Sequence, residues 1–255
     1  EDVPYEKYWD LYIEKFGGVI SEERDKEIHT IRIFTKNRCP FRCKYCSSTR
    51  QIEGATGGAY PPPITTINNE HLIDLIKRVK NAHPRVKTIY FTDDDFCYDK
   101  KNVIDFCKRV IEMNTDLYFL CQTRITDLNE DIIPLMVKAK FRQVNIGIES
   151  FSQNVLTEID KVCKRDVMFH NLDLCEKYGL KAGMFMILIT PLSSLDDLEE
   201  TVDETLRRIQ SGHFYAGFTL ACIPLKGTPF YEMYSDFLTE VVPIKGTKYT
   251  IKKDL

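Results

Sequence analysis

From about residue 29 onward, short runs of β-branched and aromatic residues alternate with stretches whose apolar positions recur every three to four residues. The short runs predict strands at Thr30–Thr35, Val86–Thr92, Leu117–Gln122, Gln143–Glu149, Ala182–Ile189 and Phe214–Cys222. Between them, Leu72, Leu75, Ile76 and Val79 share one helical face, as do Val103, Phe106, Cys107 and Val110. Leu195, Leu198, Val202, Leu206 and Ile209 mark another helix, and Ser194-Leu195-Asp196-Asp197 ahead of it has the spacing of a capping box. Gly179 stands where a helix over Asp166–Tyr178 needs a left-handed closing residue. The first twenty residues show no complete element.

Strands that alternate with helices are joined by right-handed crossovers and pair in parallel. Eight such repeats close a barrel, whereas six predict an α/β fold of the partial (β/α)6 TIM-like barrel kind. Functional groups then gather on the loops after the C-terminal strand ends. Residues 28–230 are expected to form this core, with 1–27 a lead-in or linker and 231–255 an extension or the start of a following domain. The longest irregular stretch, Ser47–Thr66, carries Gly54, Gly57, Gly58 and Pro61–Pro63. Connections of that length in a compact domain are usually functional.

Charge narrows the partners. Lys and Arg number 35 against 38 Asp and Glu, so no general positive field exists to hold a nucleic-acid polymer or an anionic membrane. No apolar run approaches the roughly 18 residues of a membrane span, and Glu1–Tyr8 lacks the pattern of a signal peptide. A cytoplasmic setting is expected, and without an initiating Met the chain reads as a piece of a longer protein. The nine cysteines are odd in number and dispersed, which argues for thiol ligands over a disulfide framework.

Directly after the first predicted strand, Cys39, Cys43 and Cys46 form Cys-x3-Cys-x2-Cys. Three close thiolates select zinc or an iron–sulfur cluster. A structural zinc site wants a fourth protein ligand. Cys97, Cys107, Cys121, Cys163, Cys175 and Cys222 contain no second close pair. Three ligands with an open fourth position suit a [4Fe–4S] cluster. Cys107 and Cys175 lie on apolar helix faces and read as core, while Cys97 and Cys121 sit near the expected active rim. His71, His83 and His170 read as surface or helix-edge residues.

The cysteine string, with Tyr45 ahead of its last member, resembles the signature of the radical S-adenosylmethionine (SAM) superfamily. The resemblance implies that the three cysteines hold a [4Fe–4S] cluster, that SAM chelates the fourth iron, and that the reduced cluster cleaves SAM to a 5′-deoxyadenosyl radical. It further implies a small-molecule substrate, such as a nucleotide or natural-product intermediate, and an external flavodoxin- or ferredoxin-like electron donor. Thr92, Asp93 and Asp94, in a Phe-x-Asp-Asp-x-Phe string after the second strand, are then candidates for the SAM ammonium. That string resembles the branch often associated with a cobalamin-binding domain, which these residues do not include. Gln122 and Arg124 end the third strand, with Arg124 a candidate for the methionyl carboxylate or for pairing within its own loop. The Gly147-Ile148-Glu149-Ser150 segment resembles the family's ribose-contact string, which makes Glu149 and Ser150 cofactor candidates. Ile223, ahead of Pro224-Leu225-Lys226-Gly227-Thr228-Pro229, is a candidate for adenine. Cobalamin-dependent methylation and radical rearrangement or ring contraction lead the functional expectations. A methylthiotransferase-like enzyme and a zinc-binding module are the alternatives.

Overall fold

The computed structural model describes residues 3–18, 20–55, 57, 62–235, 240–244 and 247–251. Six parallel strands pair in chain order: β1 (Thr30–Ile33), β2 (Thr88–Phe91), β3 (Tyr118–Thr123), β4 (Phe141–Glu149), β5 (Lys181–Ile189) and β6 (Phe214–Ala221). Each predicted strand is present within two residues at either end. Helices α4 (Asn69–Ala82), α5 (Lys100–Met113), α6 (Ile133–Lys138), α7 (Gln153–Glu158), α8 (Arg165–Tyr178) and α9 (Leu195–Ile209) lie in the crossovers. This is the α/β, partial-barrel connectivity that the sequence pattern predicts.

Two helices precede β1, α1 (Tyr5–Phe16) and α2 (Glu22–Ile28), so the expectation of no complete element in the first twenty residues is corrected. The periodic apolar signal is weak because α1 docks through aromatic and charged groups. Its Trp9 is buried with ring centroids 5.0 Å from His29 and 6.3 Å from His83. Glu6 accepts from His83 Nδ1 at 3.0 Å, and Asp10 pairs with Arg85 at 2.7 Å. His83, expected as a surface or helix-edge residue, closes α4 at its C-terminal edge and is buried and bonded there. Helix α3 (Ser48–Ala55) lies within the connection read as irregular, and α10 (Pro229–Tyr234) follows β6. A separate antiparallel pair, β7 (Glu240–Ile244) and β8 (Thr247–Ile251), had no sequence-based expectation.

The chain divides into two compact units. The first comprises Glu1–Asn37, Thr65–Ile146 and His170–Gly183; the second comprises Arg38–Ile64, Gly147–Phe169 and Met184–Leu255.

In the first unit the two faces of the sheet differ. Side chains alternate across a strand, and one face of β1–β4 buries Ile31, Ile33, Ile89, Phe91, Phe119, Cys121, Val144 and Ile146. Phe91 is central there, stacked on Phe96 at 4.5 Å and edge-on to Phe106 at 5.3 Å. The opposite face carries Arg32, Tyr90, Leu120, Gln122, Gln143 and Asn145, none of them fully buried. A closed barrel packs that face with branched apolar residues; here Gln122 and Asn145 both donate to the Tyr90 hydroxyl, at 2.8 and 3.1 Å. Cys97 and Cys121 are wholly buried on the other side, hydrogen-bonded to each other and close to Cys107. They belong to the core rather than to an active rim. Burial pushes the Cys121 thiol up and keeps it protonated.

In the second unit, α9 begins with the expected capping box. Ser194 Oγ accepts the Asp197 amide at 3.2 Å, and Asp197 accepts the Ser194 amide at 2.8 Å. Ser152 Oγ also donates to Asp197 at 2.5 Å, tying the start of α7 to the start of α9. Phe151 stacks on Phe169 at 5.7 Å.

Candidate active site

The three cysteines lie on the segment that leaves β1. Its entry is fixed in the first unit by Asp93, which is 1% exposed. Asp93 Oδ1 accepts the amides of Thr35 and Lys36 at 2.7 and 2.6 Å, and Oδ2 accepts the Thr35 hydroxyl at 2.8 Å. Both oxygens are thus engaged with the end of β1. The excursion returns beside its own start. Asn37 and Thr65 exchange two bonds, Asn37 N to Thr65 O at 3.3 Å and Thr65 N to Asn37 Oδ1 at 2.9 Å, and Ile67 N donates to Thr35 O at 2.9 Å.

Cys39, Cys43 and Cys46, all in the second unit, are half-buried, and none of the nine cysteines is in a disulfide. Cys46 N donates to Cys43 O at 3.1 Å, a tight turn that keeps the last two cysteines together. Lys44, between them, donates its amide to Ile159 O at 2.9 Å and accepts the amide of Phe230 at 3.1 Å. The loop is therefore held by its backbone to the end of α7 and the start of α10. Farther out, Arg42 and Arg50 converge on Glu53 of α3 at 2.6 and 3.1 Å.

Tyr45 turns inward and hydrogen-bonds the Glu149 carboxylate. Burial, with the negative charge of Glu149, pushes its phenol far above the ordinary range, so it stays protonated and donates. Glu149 closes β4 in a left-handed conformation, φ +66°. A residue with a Cβ enters that region at a cost of about 1–2 kcal/mol, and such strain gathers at functional sites. Glu149 Oε1 accepts from Lys161 Nζ at 2.8 Å, with side-chain exposures of 9% and 5%. Lys161 reaches it because α7 ends in a left-handed Asp160, φ +54°, and the Lys161 amide then donates back to Leu156 O at 2.9 Å. Gly147 makes room for the pair: a Cβ there would stand 2.5 Å from Glu149 Oε1 and 2.7 Å from Lys161 Nζ.

Ser150 is 1% exposed and shares a hydrogen bond with Thr201 at 2.7 Å while accepting the Ser152 amide at 3.0 Å. Ile223 is half-buried beyond β6. Its neighbour Cys222 has its thiol pushed up to about 12 by burial, helped by the charges of Glu149 and Glu158.

The remaining candidates stand in the first unit. Thr92 is half-buried and Asp94 exposed, Gln122 lies on the polar face, and Arg124 is buried. Sequence reasoning passed over Asp95, which accepts from Thr123 Oγ1 at 2.9 Å and lies within hydrogen-bonding reach of Asp127. Asp95 Oδ2 and Asp127 Oδ2 have no donor, so one proton shared between the carboxyls satisfies both. Burial first, and then the Asp127 charge, raise Asp95 to about 7. Lys161 was missed as well. No periodic or motif signal marks it, since its role depends on where the end of α7 aims its side chain.

Among the described residues, no three His, Cys, Asp or Glu side chains converge as ligands of a single metal ion. A cubane cluster asks for something else: each thiolate takes a different iron, and soft sulfur donors on one short loop suit it. The donor chemistry of Cys39, Cys43 and Cys46 fits that group.

The sequence model of the Radical SAM superfamily matches residues 33–205. The chain belongs to the radical SAM superfamily. Membership implies a [4Fe–4S] cluster and SAM. Among curated proteins, this radical SAM chain is 28% identical over 222 residues to an uncharacterized methyltransferase of Pyrococcus horikoshii, covering 86% of this chain and 44% of that one. It is 23% identical over 165 residues to the anaerobic magnesium-protoporphyrin IX monomethyl ester cyclase of Rubrivivax gelatinosus, covering 64% and 28%. The chain thus spans less than half the length of these relatives. Among solved structures, the methyltransferase TsrM of Kitasatospora setae, with tryptophan and a SAM analogue bound, superposes with a TM-score of 0.68 at 15% identity, over 83% of this chain and 40% of that one. The cobalamin-dependent enzyme OxsB, with aqua-cobalamin and SAM bound, gives 0.68 at 15% identity over 89% and 39%. These structures share the fold. Among the described residues, no helix is long and apolar enough to cross a membrane.

Proposed function

We infer that this radical SAM chain is the core of a methyltransferase that works with cobalamin on a small organic molecule. The observation that carries its radical chemistry is the Cys39–Cys46 loop, anchored through Lys44 and turned by Tyr45 onto Glu149. Methyl transfer is supported by the curated methyltransferase relative, and cobalamin by the solved structures of the same fold. A second reading, radical cyclisation, draws support from the cyclase relative.

In this reading Cys39, Cys43 and Cys46 hold the cluster, which when bound supplies the single electron for reductive cleavage of SAM. Tyr45 keeps its proton and directs it to Glu149, fixing the loop's inner side. Glu149 and Ile223 serve the nucleoside, whereas Thr92, Asp94, Gln122 and Arg124 serve polar groups of cofactor or substrate. Asp93 and Ser150 are reassigned to the scaffold, because neighbouring protein groups already occupy them. An external flavodoxin- or ferredoxin-like protein supplies the electron.

Anaerobic reconstitution with iron and sulfide tests this. The expected result is a brown protein that, once reduced, forms 5′-deoxyadenosine or passes a labelled SAM methyl group to added cobalamin. Substituting Cys39, Cys43 or Cys46 by Ala should abolish the cluster, while Cys107→Ala should cost only packing. Stoichiometric zinc without SAM cleavage would overturn the radical reading. A protein that cleaves SAM yet neither binds cobalamin nor moves the label would remove methyl transfer.

A further inference from the structure

Between Arg38 and Ile52 the chain carries four cations, Arg38, Arg42, Lys44 and Arg50, and no acid. Elsewhere acids prevail, because the whole sequence has a net charge of −3. Positive charge is therefore concentrated on the cysteine loop itself. Arg38 directly precedes Cys39, and Arg42 and Lys44 stand on either side of Cys43. The Cα of each of these three is thus only about 3.8 Å from that of a proposed ligand.

Little of this charge is cancelled. Arg38 is half-buried and directs its donors to carbonyls, Nε to Pro62 O at 2.7 Å and Nη1 to Cys39 O at 3.1 Å, so its guanidinium meets no opposite charge there. Lys44 is held through its backbone, and among the described residues its ammonium has no acidic partner. Arg42 and Arg50 share the single carboxylate of Glu53, and the Arg42 side chain stays 53% exposed. A surface pair of that kind adds about 0–1 kcal/mol to stability. Its effect is geometric. Only Nη2 of Arg42 meets Glu53, at 2.6 Å, which steadies the planar fork and leaves its other N–H groups for a second carboxylate.

A protein that delivers an electron has to come close, because tunnelling falls steeply with distance, and then has to leave. Complexes of that kind bury less than about 1,200 Å², an area that one loop and its surroundings can supply. Charge complementarity gives them speed and orientation more than affinity. On a chain that is otherwise negative, an acidic carrier is repelled from most of the surface and drawn to this loop. Cys39, Cys43 and Cys46 are half-buried, so the loop reaches the surface where such a partner arrives. We propose that Arg38, Arg42 and Lys44 form the landing face for a small acidic one-electron carrier protein. One electron leaves the reduced carrier and is taken up by the cluster, with no bond made or broken. The inference rests on the assignment of the cluster to the three cysteines, and it concerns residues that bind neither iron nor sulfur.

Two measurements on the reconstituted protein test it, with reduced flavodoxin as the carrier. In stopped-flow mixing, the rate at which flavodoxin is oxidised should fall about tenfold from low to high salt. Arg42→Gln should slow it about threefold and Arg42→Glu about tenfold, each with a flatter salt dependence. Glu53→Gln, which removes the sole acid between residues 38 and 64, should speed it. Dithionite, a small reductant that needs no landing face, should reduce all of these proteins alike at equal iron content. Opposite changes on neutralising opposite charges are a signature that loosened packing does not produce, and Glu53→Gln covers the case in which the Arg42 variants lose iron. The second measurement is carbodiimide coupling at low salt, which should join a flavodoxin carboxylate to Lys44 in the mass spectrum. Salt-independent transfer, equal rates in the parent and Arg42→Glu, or cross-links confined to other lysines would overturn the proposal. A parent protein that takes up no cluster would instead refute the cluster assignment itself.

Discussion

The carboxylate of Asp93 accepts the backbone amide of Lys36 at 2.6 Å, and so the acid that follows β2 holds the point where β1 becomes the cysteine segment. Hydrogen bonds to a charged group contribute about 1.5–3 kcal/mol each when both partners are buried. Asp93→Ala should lower stability by about 3 kcal/mol and reduce iron retained after reconstitution. Asp93→Asn should do less harm, because its carbonyl can still accept one amide. Thermal melting together with the iron-to-protein ratio checks this; an Ala variant with parental values on both would remove Asp93 from the scaffold.

Gly147→Ala asks whether the Glu149–Lys161 pair needs the bare backbone opposite it. The new methyl would stand 2.5 Å from Glu149 Oε1, so either the pair separates or the strand shifts. Breaking a buried ion pair costs about 3–5 kcal/mol. A melting temperature lowered by several degrees is expected, measured by calorimetry. A Gly147→Ala protein as stable as the parent would show that the end of β4 yields without strain.

Asp95 gives stability a pH dependence. Its carboxyl rises from an ordinary 3.8 to about 7 because burial, and then Asp127, disfavour its charge. A carboxyl raised on folding favours the native state while protonated, so its contribution is complete below 3.8 and is lost as the pH climbs through 7. Each unit corresponds to about 1.4 kcal/mol, which makes the total a few kcal/mol. Asp95→Asn keeps an acceptor for Thr123 and removes the charge, so it should stabilise the protein at pH 8 and change little at pH 4. Denaturant midpoints at the two pH values decide it, and an equal effect at both would mean that Asp95 does not titrate there.

Asp197 behaves in the opposite sense. The Ser152 hydroxyl, followed by the amide and hydroxyl of Ser194, holds its carboxyl down to about 2. A lowered carboxyl supplies stability above its ordinary 3.8 that disappears as the pH falls through 2. Asp197→Ala should cost about 2–3 kcal/mol at pH 7, with the gap to the parent closing in acid. A gap that is constant down to pH 2 would contradict the network.

Runs of β-branched and aromatic residues made β1–β6 legible, although only Phe214 of β6 is buried, and capping chemistry placed the start of α9. Position along the chain misled at Cys121. It precedes the polar-facing Gln122 and therefore points into the Phe91 cluster, away from the cofactor candidates. Helix α1 escaped because its contact surface is Trp9 with Glu6 and Asp10, a set that no hydrophobic stripe announces. The candidate site was legible where the candidate ligands are adjacent in the chain, as in Cys39, Cys43 and Cys46. It was opaque where function depends on a partner. Asp93 and Glu149 are both acids at strand ends, and only their donors, Lys36 and Lys161, separate an anchor for the loop from a charge beside it.

The paired bonds between Asn37 and Thr65 have a consequence for how such a chain can diversify. They hold the two ends of residues 38–64 side by side, so the scaffold has already met most of the entropy of closing that excursion. Doubling the length of a flexible loop adds only about 0.6 kcal/mol. The outer part of the segment, beyond the cysteines, is thus free to lengthen or change composition from one descendant to the next while β1 and its anchor stay as they are.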